Sequence, residues 1–344
     1  MFLTGIVEGF YGRQWSWQAR RDYAPLLTQW GLNSYLYCPK GDPYLRRDWW
    51  RPWPRLEQQE LASLAGHYRS AGLNFGVGLS PYALYQHYGD QERRRLREKL
   101  ARIDELGVNV LAILFDDMPG DCPDLALRQA EILTDVQRWS HAQHLLMCPT
   151  YYSYDAQLES YFGKMPAHYW EELGATVPAE IAIMWTGNEV CAKRVVASDV
   201  TEITSMLRRP PLLWDNYPVN DGAKASQFLH LQPLPERDPG LHEALSGHFC
   251  NPMNQAYLSQ FPLAGLAQLY GGPEPKLEDY FAEDLSRQLA LDRPLFEHQG
   301  LQLIGAEQRL ALAAVYRAMA DPAAAEIADW LAGDYQFDPA CLTD

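Results

Sequence analysis

The chain has 344 residues, 47% of them hydrophobic, with 29 basic against 44 acidic side chains and a net charge of −15. That is enough apolar material for one large barrel, or an α/β domain with an appendage, and it excludes wholesale disorder. A chain this acidic, with no basic stripe to offset it, repels phosphate backbones, which excludes nucleic acid as a natural partner.

The N-terminus reads Met1-Phe2-Leu3-Thr4-Gly5, without a basic segment leading into a long apolar one, and no run of 18 apolar residues follows anywhere. The expectation is a cytoplasmic protein with no membrane partner. Short apolar runs then recur in order at Leu3–Phe10, Ser34–Cys38, Phe75–Leu79, Val110–Phe115, Leu145–Cys148, Ile181–Trp185, Leu212–Trp214 and Gly247–Cys250. The polar or glycine residues that close them (Gly9, Lys40, Ser80, Asp116, Thr150, Thr186, Asn216 and Asn251) lie about 30 to 40 residues apart. Between them run helix-period stretches such as Leu61–Gly72, Glu92–Gly107 and Asp124–Gln143. Continuous apolar strands alternating with helices are parallel strands covered on both faces, and eight such units predict an α/β chain folded as a (β/α)₈ TIM barrel. A doubly wound open sheet fits less well, because no glycine-rich turn follows the first strand. The expected division is a barrel over residues 1–272 and a short helical extension over 273–344, with helices at Leu277–Leu291, Ala306–Ala318 and Ala323–Ala332.

Several motifs read as structure rather than chemistry. Arg93-Arg94-Arg95 with Arg97 and Lys99 reads as a solvated helix face, and His141 with His144 as an exposed helix turn rather than a metal pair. The six cysteines are scattered without a CxxC pair, which suits reduced thiols. There is no phosphate-binding glycine loop, no nucleophile elbow around Ser80, and no His-x-His after the first strand.

Chemistry concentrates at the strand ends, which in a barrel share one face. Those ends carry Glu8-Gly9-Phe10-Tyr11, Lys40, Asp116-Asp117, Tyr151-Tyr152, Trp214-Asp215-Asn216 and Asn251. Rings, amides and carboxylates together suit a sugar, whose apolar face packs on rings while its hydroxyls take hydrogen bonds. Asp116 and Asp117 follow the fourth run directly. Two adjacent carboxylates raise each other's cost of ionisation, so one should stay protonated near neutrality, as acid/base glycoside chemistry requires. Neighbouring strand residues point to opposite faces, so both can serve one site only if the strand breaks, and Met118-Pro119-Gly120 is the expected break. Adjacent residues are awkwardly placed for the two faces of a sugar that a conventional retaining pair must flank. They fit better a reaction in which the sugar's own 2-acetamido oxygen is the nucleophile.

Taken together, Gly5-Ile6-Val7-Glu8-Gly9-Phe10-Tyr11-Gly12-Arg13, Asn33 to Lys40, Phe115-Asp116-Asp117, Cys148-Pro149-Thr150, Trp185-Thr186-Gly187, Trp214-Asp215-Asn216 with Asn220-Asp221, and Asn251-Pro252-Met253-Asn254 resemble glycoside hydrolase family 84. This is the family of O-GlcNAcases and bacterial β-N-acetylglucosaminidases. The resemblance implies retaining, substrate-assisted hydrolysis of terminal β-linked GlcNAc, on a protein or a glycan, through an oxazoline, with no cofactor and no metal. It implies that Asp116 orients the acetamido group, and that Asp117 is general acid and then base. Tyr152 would hold the acetamido oxygen, Trp214 would wall the pocket with Asn216 beside it, and Gly9, Lys40, Asp221 and Asn251 would bond the sugar hydroxyls. Gly41, Asn188 and Tyr151 depart from the family's pattern. An endo-acting, hyaluronidase-like glycosidase and a GlcNAc-binding pseudoenzyme stay open as other readings, and a dimer is possible through the helical extension.

Overall fold

A computed structural model describes residues 1–335 and 337–341 of the chain. Eight strands, β1 (Leu3–Glu8), β2 (Ser34–Tyr37), β3 (Asn74–Leu79), β4 (Val110–Leu114), β5 (His144–Cys148), β6 (Ala182–Trp185), β7 (Leu212–Asp215) and β8 (Gly247–Cys250), pair in sequence order. All eight pairings are parallel, and β8 returns to β1 to close the barrel. Every residue of β1, β2, β4, β7 and β8 is buried. One face of each strand fills the barrel and the other lies under helices, which is why the sequence shows continuous apolar runs instead of alternation.

The outer layer is α1 (Trp17–Trp30), α2 (Arg55–Ser70), α3 (Asp90–Glu105), α4 (Leu125–Trp139), α5 (Gln157–Phe162), α6 (Tyr169–Thr176), α7 (Val200–Leu207), α8 (Leu241–Ala244) and α9 (Gln260–Leu269). After these come α10 (Glu283–His298), α11 (Gly300–Leu303), α12 (Ala306–Arg317) and α13 (Pro322–Ala332). These last helices pack Leu285, Leu289, Phe296, Tyr316, Ile327 and Trp330 against Leu229, Leu231, Met253 and Leu258 of the barrel's own loops and Phe261 of α9. Among the described residues no helix is long and apolar enough to cross a membrane.

Four local expectations need correction. β1 stops at Glu8 rather than Phe10 because the Gly9 amide turns back to the Val7 carbonyl at 2.9 Å. Lys99 is not solvated: its side chain lies on the inner side of α3 with Leu96, Leu100 and Ile103, its ammonium 3.4 Å from the centre of the Trp53 ring. Burial pushes that ammonium down to about 7. His141 and His144 do not share a helix turn, since α4 ends at Trp139 and His144 opens β5. His141 instead bonds Asp104 at 2.8 Å. The predicted helix Leu277–Leu291 begins later, at Glu283, after a single 3₁₀ turn over Leu277–Asp279.

Candidate active site

The loops leaving the C-terminal ends of the strands line a pocket. All nine residues singled out in the sequence (Gly9, Lys40, Asp116, Asp117, Tyr152, Trp214, Asn216, Asp221 and Asn251) line it. Their contributions come from the ends of β1, β2, β4, β5, β7 and β8, which only barrel closure can bring together.

Asp116 continues straight from β4. Its Oδ2 forms a buried ion pair with the Lys40 ammonium, and its Oδ1 is buried with no hydrogen-bond partner among the described residues. A buried acceptor left unmade is costly, so its position facing a ligand pocket is informative. Burial alone would lower Lys40, but Asp116 and then Asp117 outweigh it and hold the ammonium above its ordinary value. Asp117 adopts the left-handed conformation, φ 53°. The break that brings both carboxylates to one cavity is therefore at Asp117 itself, one residue before the expected Met118-Pro119-Gly120. Its carboxylate has no ion-pair partner among the described residues. Instead Oδ2 accepts the Tyr11 hydroxyl at 2.7 Å and Oδ1 accepts the Tyr152 hydroxyl at 3.0 Å. The pair is thus differentiated: one carboxylate faces a cation, the other two phenols.

The opposite wall is built on an amide relay. Asn216 Oδ1 accepts from Trp214 Nε1 at 2.9 Å and from Asn251 Nδ2 at 3.0 Å, while Asn251 Oδ1 accepts the Gly9 amide at 3.1 Å. Asn216 Nδ2 anchors the relay to the Val190 carbonyl at 2.8 Å. These bonds fix the Trp214 ring so close to β1 that a Cβ on Gly9 would stand 2.2 Å from it. Glycine at position 9 is what lets the ring form the wall. Asp221 Oδ2 accepts the Tyr11 amide at 2.7 Å, and burial raises its carboxyl to about 6.

Two further carboxylates at the strand ends serve the scaffold. Glu8 is fully buried and holds Arg20 and the Tyr35 hydroxyl. Asp215 takes a two-pronged contact from Arg237, at 2.7 Å on each oxygen, and a third from His248 at 3.1 Å. Burial would raise Asp215, but Arg237 and then His248 bring it down to about 2. Asp215, His248 and Cys250 offer ligand atoms within 4.8 Å of one another, but Arg237 already occupies both oxygens of the carboxylate, which leaves no room for a metal ion there. Tyr151 points away from the pocket and donates to the Gly163 carbonyl at 2.6 Å.

Sequence reasoning gave no role to Tyr11, which touches both Asp117 and Asp221. The signal was available, since Tyr11 follows Gly9 in the same strand-end motif. A second, larger cleft shares Tyr11, Lys40 and Asp117 with the pocket and is bordered also by Arg46, Arg47, Tyr82 and Asp338.

The family described as β-N-acetylglucosaminidase matches residues 4–289 of the chain. The O-GlcNAcases of Rattus norvegicus and Mus musculus are each 30% identical over 261 residues, covering 73% of this chain and 28% of theirs. The chain thus spans just over a quarter of the length of these relatives. Among solved structures, an O-GlcNAc hydrolase variant from Thermobaculum terrenum superposes with a TM-score of 0.72 at 33% identity, over 90% of this chain and 66% of that one.

Proposed function

Since this chain belongs to the β-N-acetylglucosaminidase family, glycoside hydrolase family 84, we propose that it is a retaining, exo-acting β-N-acetylglucosaminidase of the O-GlcNAcase type. The observation that carries this reading is Asp116 Oδ1, a buried acceptor without a partner among the described residues, beside an acid of different surroundings. In the proposed reaction Oδ1 accepts the N–H of the sugar's 2-acetamido group, and Lys40 on Oδ2 steadies the carboxylate. The acetamido oxygen attacks C1 as the bond from C1 to the leaving oxygen breaks, Asp117 passes its proton to that oxygen, and the acetamido N–H proton moves to Asp116 Oδ1. Asp117 then takes a proton from the water that opens the oxazoline at C1, while the acetamido nitrogen recovers its own from Asp116. Two inversions at C1 give net retention. The walls made by Trp214, Asp221 and Asn251 support an exo-acting pocket over an endo-acting groove.

A purified sample should cleave aryl β-GlcNAc and leave the aryl β-glucoside, which lacks the nucleophile, intact. Progressive fluorination of the acetyl group should slow cleavage steeply, because it drains the attacking oxygen of electron density. A rate indifferent to fluorination would end the neighbouring-group reading.

Asp221 is expected to accept a sugar hydroxyl. A charge-assisted bond of that kind is worth about 1.5–3 kcal/mol, so a folded Asp221→Ala protein should lose about 10- to 100-fold in kcat/KM. With its carboxyl raised to about 6, Asp221 takes a proton as pH falls through that value. The parent's kcat/KM should therefore decline below about pH 6, and Asp221→Asn should flatten that limb. Near-normal kcat/KM in Asp221→Ala would take the residue out of the site.

A further inference from the structure

Arg46 sits in the loop after β2 and forms no ion pair among the described residues. Its guanidinium is spent on two carbonyls and a hydroxyl instead. Nη2 donates to the Asp117 carbonyl at 2.7 Å, and Nη1 reaches the Asp116 carbonyl at 3.4 Å and Ser80 Oγ at 2.9 Å. The loop is itself tied to the end of β3, where the Ser80 amide donates to the Leu45 carbonyl at 2.8 Å. One rigid fork thus spans the peptide units on both sides of the left-handed residue. A non-glycine residue in that conformation costs about 1–3 kcal/mol and persists only where its surroundings over-determine it. Asp117 must turn its carbonyl outward for its carboxylate to face the pocket, and Arg46 is what receives that carbonyl. A planar guanidinium suits the task, since its donors are fixed in direction where an ammonium's are not.

We infer that Arg46 is a positioning residue for the acid/base: it holds the backbone turn at Asp117 that aims the carboxylate at the leaving oxygen, and it lends that carboxylate positive charge once the proton has gone. The inference rests on the reading of Asp117 as the acid. Arg46 does so through the carbonyls and touches no reacting atom. The other titratable or charged groups facing Asp117 are Tyr11 from the β1 loop, Lys40 from the β2 loop, its neighbour Asp116, Tyr152 and Cys148 from the end of β5, and Asp221 from the β7 loop.

The test compares Arg46→Ala and Arg46→Lys with the parent on aryl β-GlcNAc substrates of graded leaving-group acidity, each variant also carried into Asp117→Ala. Misplacing a catalytic group by about 1 Å can cost about 100-fold. Arg46→Ala should therefore lose up to about 100-fold on poor leaving groups and little on a dinitrophenyl glycoside. Removing the cation makes ionised Asp117 less favourable, so the basic limb of the kcat/KM profile should move to higher pH. Arg46→Lys should restore the limb and recover only part of the rate. In the Asp117→Ala background Arg46→Ala should add almost nothing. If Asp117→Ala shows no dependence on the leaving group, the reading of the acid has failed. If it does show that dependence while Arg46→Ala loses rate uniformly, or not at all, the positioning role of Arg46 is overturned. Should Arg46→Ala not fold, Arg46→Lys and Arg46→Gln carry the same comparison.

Discussion

Asp117→Ala should slow the hydrolysis of β-GlcNAc glycosides with poor leaving groups by about 10² to 10⁴-fold, the usual worth of a general acid. A dinitrophenyl glycoside, whose leaving oxygen needs no proton, should enter the first step at close to the parent's rate. Added azide should then accelerate turnover, because it attacks C1 without a base to deprotonate it. The basic limb of the pH profile should vanish with the carboxyl. Tyr11 and Tyr152 lose their shared acceptor in this variant, so melting temperature and substrate affinity should be measured beside the rates. A loss equal across the leaving-group series would sink the assignment.

Asp116→Ala should behave differently. Its proposed task, aligning the acetamido group, precedes any leaving-group chemistry, so the loss should be alike for every substrate. Removing a group that stabilises developing charge in a buried site costs about 10²–10³-fold. The alanine variant also strands the Lys40 ammonium, buried at 3% side-chain exposure, without its partner. Breaking a buried pair from one side costs about 3–5 kcal/mol of stability, so the variant should also melt lower. Asp116→Asn keeps an oxygen near Lys40 and separates the two effects: its rates should stay low while its stability recovers. If Asp116→Ala, rather than Asp117→Ala, discriminates among leaving groups, the two roles are reversed.

The barrel was legible because its signal is redundant. Eight largely buried strands each had to be mostly apolar, and a one- or two-residue error at an end, as at Phe10, moved no element. The strand ends were legible as a set because closure of the barrel converts sequence order into one shared rim. The fine structure of the turn at Asp117 was not. Aspartate is among the few residues that tolerate the left-handed region, so nothing in its identity marks position 117 as the break, while the Pro-Gly pair beyond it advertises one. Arg46 was invisible for another reason: its contacts to the turn at Asp117 are to carbonyls, which every residue has. Lys99 was misread because a charge cluster on a helix says nothing of which member faces inward.

The left-handed backbone at Asp117 has an engineering consequence. Glycine would adopt that conformation without strain and asparagine at less cost than most side chains, so either exchange is tolerated locally and asparagine also removes a charge from beside Asp116. A search for heat-resistant forms that scores only melting would be drawn toward such exchanges at this position, and each success there would lack the proposed acid. Selection for turnover alone keeps the aspartate. Thermostabilising work on this chain should therefore hold residue 117 fixed and take its gains from the α10–α13 layer, where packing and reaction are separate concerns.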